Sequence, residues 1–234
     1  MIRALTLALA LLAGMAHATP PRVTMSEDRI LAATQTHLYV LRDISDNLGS
    51  NWVALHDQHL IEINLETGEA TRFWPLRRMA KSHINDAGDF RVPGEVTERG
   101  GETYDMVAIL RELGAEPLTP SRWVIEELSF SDGALMRGEE QLLTPFGIRK
   151  AGRAQLAILR DEYPDKETAE GWPSEDQIDF YNLYAEGDWL CELRPEGQTL
   201  FRAQDRVTVT KLYCEDTELA GIWSFHVLIK DNLE

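Results

Sequence analysis

Strand-forming patterns occupy both ends of this sequence and helix-forming patterns occupy its middle, and this order restricts the possible folds more than any other feature. The C-terminal segment 221–230, GIWSFHVLIK, alternates large apolar residues with Ser, His and Leu, a period of two that predicts a β-strand. The segment 36–43, THLYVLRD, predicts a strand covered on both sides, and segments 188–193 and 206–214 predict two more. Strands at both ends favour an α+β fold over an alternating parallel α/β design.

Three helices are expected in the middle of the chain, each from a local signal. Residues 106–113 place apolar side chains on one face, and a glycine followed by a proline marks the helix end. A Thr-Pro pair opens the segment 144–163 with a favourable N-cap and first helical residue. The SEDQ sequence that opens segment 174–187 matches a capping box. The predicted fold class is therefore α+β, mainly antiparallel β-sheet with about three helices in the middle of the chain.

Turn signals divide the rest of the sequence. Residues 52–55 and 59–64 predict two strands joined by a two-residue loop at 57–58, and Gly68 supplies the positive φ for the next reversal. The stretch 92–102 is rich in Gly, Pro and charge, which predicts a loop and a possible subdomain boundary. A Pro-Glu-Gly sequence within 194–197 predicts another turn. A further hairpin is expected around 132–133.

The first eighteen residues, MIRALTLALALLAGMAHA, have the organisation of a signal peptide. A positive start precedes an apolar run, and Ala-His-Ala then supplies the small-x-small pattern of a cleavage site. The apolar run is too short to serve as a permanent membrane anchor. We therefore expect residues 1–18 to be removed and residues 19–234 to form a single exported α+β domain, located in the periplasm or secreted.

The charge of the chain restricts its partners. The formal net charge is −16 at pH 7, and such a surface repels phosphate backbones and anionic lipid headgroups. No second apolar stretch approaches membrane-spanning length. We therefore expect an acidic, soluble protein that binds no nucleic acid and has no integral membrane segment after signal cleavage. The partner is expected to be an unidentified protein or small molecule.

The chain has two cysteines, Cys191 and Cys214, without the CxxC spacing of a redox or metal motif. An exported chain reaches an oxidising compartment, where such a pair usually forms a structural disulfide. We expect that bond, with a redox or metal-binding pair as the alternative. Closing a loop of this length stabilises a fold by about 3 kcal/mol in the chain-entropy model.

His56 and His59 are the most chemistry-like residues in the sequence. If residues 57–58 form a two-residue loop, the two imidazoles lie opposite each other at a hairpin end and could hold a metal. A zinc site requires three or four protein ligands, and no matching His or Cys pair follows. A polar turn explains the same residues, so we expect no metal here and keep His56 and His59 as the candidate ligands should one bind.

Acidic and aromatic residues provide two weaker signals. Residues 161–188 carry many acids but contain no calcium-loop pattern, so a solvated surface is the favoured interpretation. Trp172 lies between Gly and Pro beside these acids, where it could stack on a sugar or contact a partner. Its alternative role is to cover the start of the following helix. We therefore retain Trp172 as the candidate ligand or partner contact.

Motifs for catalysis are absent from the sequence. It contains no G-x-S-x-G, no H-E-x-x-H and no Gly-rich phosphate loop, so neither a catalytic set nor a cofactor is predicted. The favoured hypothesis is an exported binding or accessory protein without catalytic activity. One alternative is a cell-envelope or extracellular hydrolase that uses carboxylates or a His56/His59 metal centre. Another alternative is an assembly subunit that pairs through an exposed strand edge.

Overall fold

The computed structural model describes residues 24–47, 53–82, 96–119, 128–156, 189–201, 205–216 and 221–232. Within these ranges the chain is mainly β-sheet with few helices, in agreement with the predicted preference for strands. The strands are β1 (Thr24–Ala33), β2 (His37–Asp46), β3 (Val53–Asn64), β4 (Ala70–Ser82), β5 (Val96–Glu98), β6 (Glu116–Pro117), β7 (Leu128–Ser131), β8 (Ala134–Arg137), β9 (Glu140–Leu143), β10 (Trp189–Phe201), β11 (Asp205–Asp216) and β12 (Gly221–Asn232). The helices are α1 (Met106–Glu112) and α2 (Pro145–Leu156). The third helix predicted from the sequence, at 174–187, lies outside the described residues.

The main sheet has nine strands in the order β10-β11-β12-β1-β2-β3-β4-β5, and β6 pairs separately with β1. Neighbouring strands in this sheet run antiparallel, except that β1 and β12 are parallel. Strands β7, β8 and β9 form a small antiparallel sheet of their own. The first and last strands described are therefore neighbours at the centre of the main sheet.

The main sheet is strongly curved, because strands that are far apart in its order share one apolar core. Val207 and Val209 of β11 pack in the same cluster as Ile61 and Ile63 of β3. Four strand spacings separate β11 from β3, which amounts to about 19 Å across a flat sheet. Direct packing between these side chains requires the sheet to fold over on itself. The concave face thus encloses an interior of its own.

Helices and the small sheet cover parts of the outer face. The apolar side of α1 packs on Tyr39, Leu60 and Trp74 in strands β2 to β4. Helix α2 and the small sheet pack on β11 and β12, where Ile148 and Leu135 meet Phe225. Strand β12 is consequently buried on both faces, unlike a strand with one wet side.

The turn between β3 and β4, the end of α1 and the start of α2 follow their sequence signals. Gly68 has a φ of 73° in the β3–β4 turn, and its N–H donates to the Asn64 carbonyl at 2.8 Å. Gly114, just beyond the end of α1, has a φ of 64°. The Thr144 hydroxyl accepts the Gly147 N–H at 3.0 Å at the start of α2. These local predictions are confirmed.

Two predicted reversals and one predicted loop are wrong. Residues 57–58 lie inside the continuous strand β3, whose backbone pairs with β2 on one side and β4 on the other. Residues 194–197 form an irregularity within β10 and not a turn. Residues 96–98 extend the sheet as β5, although the sequence predicts a loop across 92–102. In each case, pairing with a neighbouring strand satisfies the backbone hydrogen bonds and overrides the local turn preference.

Candidate functional site

A row of buried polar side chains crosses the concave face of the main sheet. Asp28 of β1 pairs directly with Arg42 of β2, and Arg42 pairs in turn with His59 of β3. Directly paired residues project to the same face, so the three side chains are neighbours. Asp28 and Arg42 are 0% exposed and His59 is 2% exposed. The interior is therefore apolar around Ile61 but polar along this row.

Arg42 is the centre of the hydrogen bonding in the row. Its Nε donates to Asp28 Oδ1 at 2.6 Å and its Nη2 donates to Asp28 Oδ2 at 2.8 Å, which makes a two-pronged ion pair. Its Nη1 donates to the Gln155 carbonyl oxygen at 2.6 Å. Gln155 lies in the last turn of α2, where helix carbonyls lack partners within the helix. The ion pair thus also fixes the C-terminal end of α2 against the sheet.

The Gln155 side chain makes a second attachment between α2 and the sheet. Its Nε2 donates to the His226 carbonyl at 2.6 Å, and its Oε1 accepts the His226 N–H at 3.1 Å. The same Nε2 lies 3.1 Å from the Gly68 carbonyl in the β3–β4 turn. One amide therefore occupies the edge of β12 as a neighbouring strand would. It fills the place where β1 and β12 separate, since their pairing covers only residues 24–26 with 221–223.

Ser224 supports the same separation of the two strands. Its hydroxyl oxygen accepts the Asp28 N–H at 2.7 Å, and Ser224 is 0% exposed. This contact replaces a backbone hydrogen bond that β12 would otherwise provide to β1. The backbone on each side of the gap is satisfied by a side chain, as buried polar groups generally require.

His226 is a fully buried titratable group on the same face of the sheet. Its side chain is 0% exposed, and its Nδ1 lies 3.9 Å from Asp28 Oδ2, beyond hydrogen-bond distance. Neither ring nitrogen has a hydrogen-bond partner in the described part of the chain. Burial lowers its pKa to about 4; Lys211 and Arg42 act in the same direction, and Asp28 opposes them. The imidazole is thus neutral at neutral pH.

A second group of charges lies on the same face of the sheet, around a residue that precedes His59 by two positions in β3. Asp57 projects to the same side as His59, and its carboxylate forms an ion pair with Arg99. The Arg99 N–H donates to the Arg78 carbonyl at 3.0 Å, which ties the chain after β5 back to β4. Asp57 is 4% exposed. This pair, like Asp28–Arg42, joins sheet strands to a segment that covers them.

A third polar group lies on the outer face. The Tyr39 hydroxyl donates to Glu62 Oε2 at 3.1 Å, and the Thr71 hydroxyl donates to Glu62 Oε1 at 2.8 Å. Burial, followed by the charge of Glu62, raises the pKa of Tyr39 to about 12. The phenol is therefore a permanent hydrogen-bond donor at neutral pH, and it fixes the carboxylate to the sheet beside α1.

An open cleft borders the buried row where α2 faces the β3–β4 turn and β12. Its volume is about 510 Å³, within the range typical of small-molecule sites. Its lining combines apolar side chains with two lysines and two glutamates: Glu66, Thr67, Gly68, Glu69, Leu143, Gly147, Lys150, Ala151, Ala154, Gln155, His226, Val227, Leu228 and Lys230. A second cleft of about 570 Å³ lies between the β1–β2 turn, the residues after α1 and β10.

The two sequence-predicted histidines are not brought together. His56 and His59 are three residues apart in one extended strand, and successive strand residues project to opposite faces, so their side chains lie on opposite sides of the sheet. His59 is in the interior with its ring edge-on to Phe73, at a centroid distance of 6.1 Å. The hairpin-end metal site therefore loses its geometric basis. Among the described residues, no three His, Cys, Asp or Glu side chains are grouped so that they could hold a metal ion.

The other sequence candidates have different outcomes. Cys191 and Cys214 are bonded, as expected, and they join β10 to β11 at directly paired positions. Trp172, residues 1–18 and the acidic stretch 161–188 lie outside the described residues. Neither of the two described helices has the length and apolar composition needed to cross a membrane.

Sequence reasoning missed Asp28, Arg42 and Gln155. Arg42 gives a signal, because it occupies the same strand parity as Leu38 and Val40 and therefore falls on a buried face. Strand β1 is not predicted from the sequence, so Asp28 has no assigned face. Gln155 lies in a predicted helix, but nothing local indicates which strand its amide will contact.

No protein-family model matches the chain, and neither curated proteins nor solved structures give a match.

Proposed function

We propose that this protein is an exported, non-catalytic binding or accessory protein that acts in the periplasm or outside the cell. One observation supports the proposal above all: the buried charges of Asp28 and Arg42 are engaged in holding α2 against the sheet through Gln155. These groups support a rigid framework, and the open cleft beside them supplies the binding surface.

A catalytic role for this row requires contact with substrate. Asp28, Arg42 and His226 are all 0% exposed, and Arg42 already uses three donors within the fold. A substrate would have to displace α2 and leave a charge buried without its partner, which costs about 3–5 kcal/mol. The hydrolase alternative is therefore less well supported than a binding role.

The cleft supports binding because its walls are held in place before any ligand arrives. Gln155 connects α2, the β3–β4 turn and β12 through three hydrogen bonds to backbone groups of His226 and Gly68. A ligand that enters a preformed cleft does not have to order its walls, so more of its contact energy appears as affinity. This favours a small molecule or a short peptide over a large flat partner surface.

The proposed location, in the periplasm or outside the cell, rests on the leader-like residues 1–18 and on the cysteine pair. Cys191 and Cys214 form a disulfide between neighbouring strands, a bond that persists in oxidising compartments. The alternative of assembly through a strand edge has less support, since the irregularity between Leu193 and Gly197 interrupts the regular ladder of the edge strand β10.

The proposal is tested with residues 19–234 purified from the envelope fraction in oxidised form. A low-molecular-weight extract of that fraction is expected to raise the melting temperature, and chromogenic peptidase, glycosidase and esterase substrates are expected to remain intact. Turnover that disappears in a folded carboxylate or histidine variant would overturn the non-catalytic assignment. Recovery of the chain with Met1 intact and both thiols free would overturn the exported one.

A further inference from the structure

The cleft between α2 and the β3–β4 turn presents opposite charges on facing elements, and this arrangement indicates its ligand. We propose that it binds a zwitterionic amino acid or short peptide with an aliphatic side chain. This inference rests on the proposed binding function and names the chemistry of the ligand. The groups that carry it are Lys150 on α2 and Glu69 at the end of the turn.

Two of the four charged groups in the cleft neutralise each other. Lys230 Nζ lies 2.5 Å from Glu66 Oε1 and also donates to the Glu66 carbonyl at 2.7 Å. Lys150 and Glu69 form no ion pair in the described part of the chain, although both line the same cleft. The cleft thus offers one ammonium and one carboxylate for a ligand of the opposite polarity.

The net charge of the lining excludes simple ions as the best ligands. Two lysines and two glutamates balance, and His226 is uncharged at neutral pH because burial lowers its pKa to about 4. An anion alone would be attracted by Lys150 and repelled by Glu69. A cation alone would be attracted by Glu69 and repelled by Lys150. A molecule with an ammonium and a carboxylate satisfies both groups with charge-assisted hydrogen bonds.

The remaining lining selects the side chain of the ligand. Leu143 and Leu228 supply apolar surface, and small residues on α2 leave space beside it. Among the described residues, no Phe, Tyr or Trp lines the cleft and the His226 ring is 0% exposed, so the described lining offers no ring for stacking. An aliphatic side chain that leaves water for this surface gains about 25 cal/mol per Å² of apolar area. A leucine-like side chain therefore fits better than a sugar or a nucleobase.

The turn that carries Glu69 is held close to β12. A Cβ added to Gly68 would lie 3.3 Å from Leu228 Cδ1, and the positive φ of 73° already disfavours other residues there. The Gly68 carbonyl accepts from Gln155 Nε2 at 3.1 Å. Glu69 is thus positioned by the same amide that anchors α2, which carries Lys150. The distance between the two charged walls is set by one connected group of contacts.

The test is isothermal titration of the oxidised protein with L-leucine and L-leucyl-L-leucine, which distinguish a free amino acid from a peptide. N-acetyl-L-leucinamide keeps the aliphatic side chain and lacks both charges, so it serves as the matched ligand control. Lys150→Ala and Glu69→Ala are each expected to weaken binding of the preferred zwitterion about tenfold, the effect of one charge-assisted hydrogen bond. Lys81→Ala and Glu98→Ala change equivalent charges on β4 and β5, away from the cleft, and are expected to leave binding unchanged.

Three results would overturn the inference. The first is that neither zwitterion binds, although an envelope extract still raises the melting temperature of the same protein. This result would leave the proposed binding function intact. The second is equal affinity for N-acetyl-L-leucinamide, which would show that the charges do not contribute. The third is binding that both cleft variants retain at full strength, which would place the ligand elsewhere. Loss of stabilisation by every extract would instead count against the proposed function itself.

Discussion

Acidification is expected to destabilise this protein through one buried imidazole, that of His226. In the folded state its pKa is lowered from 6.5 to about 4, chiefly because burial disfavours the charged ring. The unfolded chain binds a proton on this residue near pH 6.5, whereas the folded chain resists it until about pH 4. The free energy of unfolding therefore falls as the pH is lowered through this window and is fully retained above it.

The size of the effect follows from the separation of the two pKa values. As the pH falls from about 7 to about 5, the unfolded state becomes protonated at this position and the folded state does not, which lowers the free energy of unfolding by about 2 kcal/mol at the end of this range. The charges that act on the ring are Asp28 on β1, Arg42 on β2 and Lys211 on β11. From α2, the neutral Gln155 bonds the His226 backbone and Lys150 lines the same cleft. The two cations reinforce the lowered pKa, so the carboxylate of Asp28 does not restore it.

The assay is urea unfolding of wild type and His226→Gln across this pH range, with the disulfide intact. Gln cannot be protonated, so the difference between the two pH profiles isolates the histidine from the many carboxylates of the chain. A two-dimensional NMR titration of the ring in the native protein measures the folded pKa directly and does not depend on how well the variant folds. Parallel profiles for the two proteins, together with a ring that titrates near pH 6.5, would refute the reasoning.

Three further predictions concern the contacts that hold α2 and β10 in place. Arg42→Met is expected to lower the free energy of unfolding, measured in urea, by about 3–5 kcal/mol, because it leaves the Asp28 carboxylate buried without its partner. Adding Asp28→Asn should recover part of this loss. If the losses of the two single variants simply add in the double variant, the pairing is contradicted. Gln155→Glu is expected to lower the free energy of unfolding by about 1–3 kcal/mol, since a carboxylate cannot donate to the backbone carbonyls that the amide contacts. An unchanged urea midpoint near neutral pH would argue against the attachment of α2 through this amide. Replacing Cys191 and Cys214 with Ala is expected to lower the free energy of unfolding by about 3 kcal/mol, the value for a loop of 23 residues. A reductant should cause the same loss in wild type and no further loss in the variant. Equal stability of reduced and oxidised wild type would show that the bond contributes little.

Local patterns were sufficient to predict many of the elements. The alternating segment 221–230 becomes β12, Gly114 ends α1 and Thr144 caps α2 as the sequence predicts, and Gly68 occupies its expected turn. These features depend on contacts within a few residues, such as a cap hydroxyl and the first free N–H of a helix. Such contacts are encoded next to each other in the chain and need no knowledge of the rest of the fold.

The wrong predictions share one cause. Residues 57–58 have a turn-like composition, yet β2 and β4 pair with them on both sides and keep the strand extended. That outcome moves His56 and His59 to opposite faces and removes the metal-site geometry that a loop would have created. Pairing partners that lie far along the chain decide such cases, because a local preference of about 1 kcal/mol or less is weaker than a satisfied ladder of backbone hydrogen bonds.

The sequence by itself determined the type of many elements, the end of α1, the cap of α2 and the partner of each cysteine, since a pair of cysteines has only one way to join within the chain. Only the tertiary structure decided that Asp28 meets Arg42, and that Gln155, which is 113 residues from Arg42 and 71 residues from His226, meets both. The physical reason is the curvature of the sheet and the parallel pairing of its first and last described strands. These bring distant polar residues into one enclosed space, where burial, and not the local sequence, sets their charge and their partners.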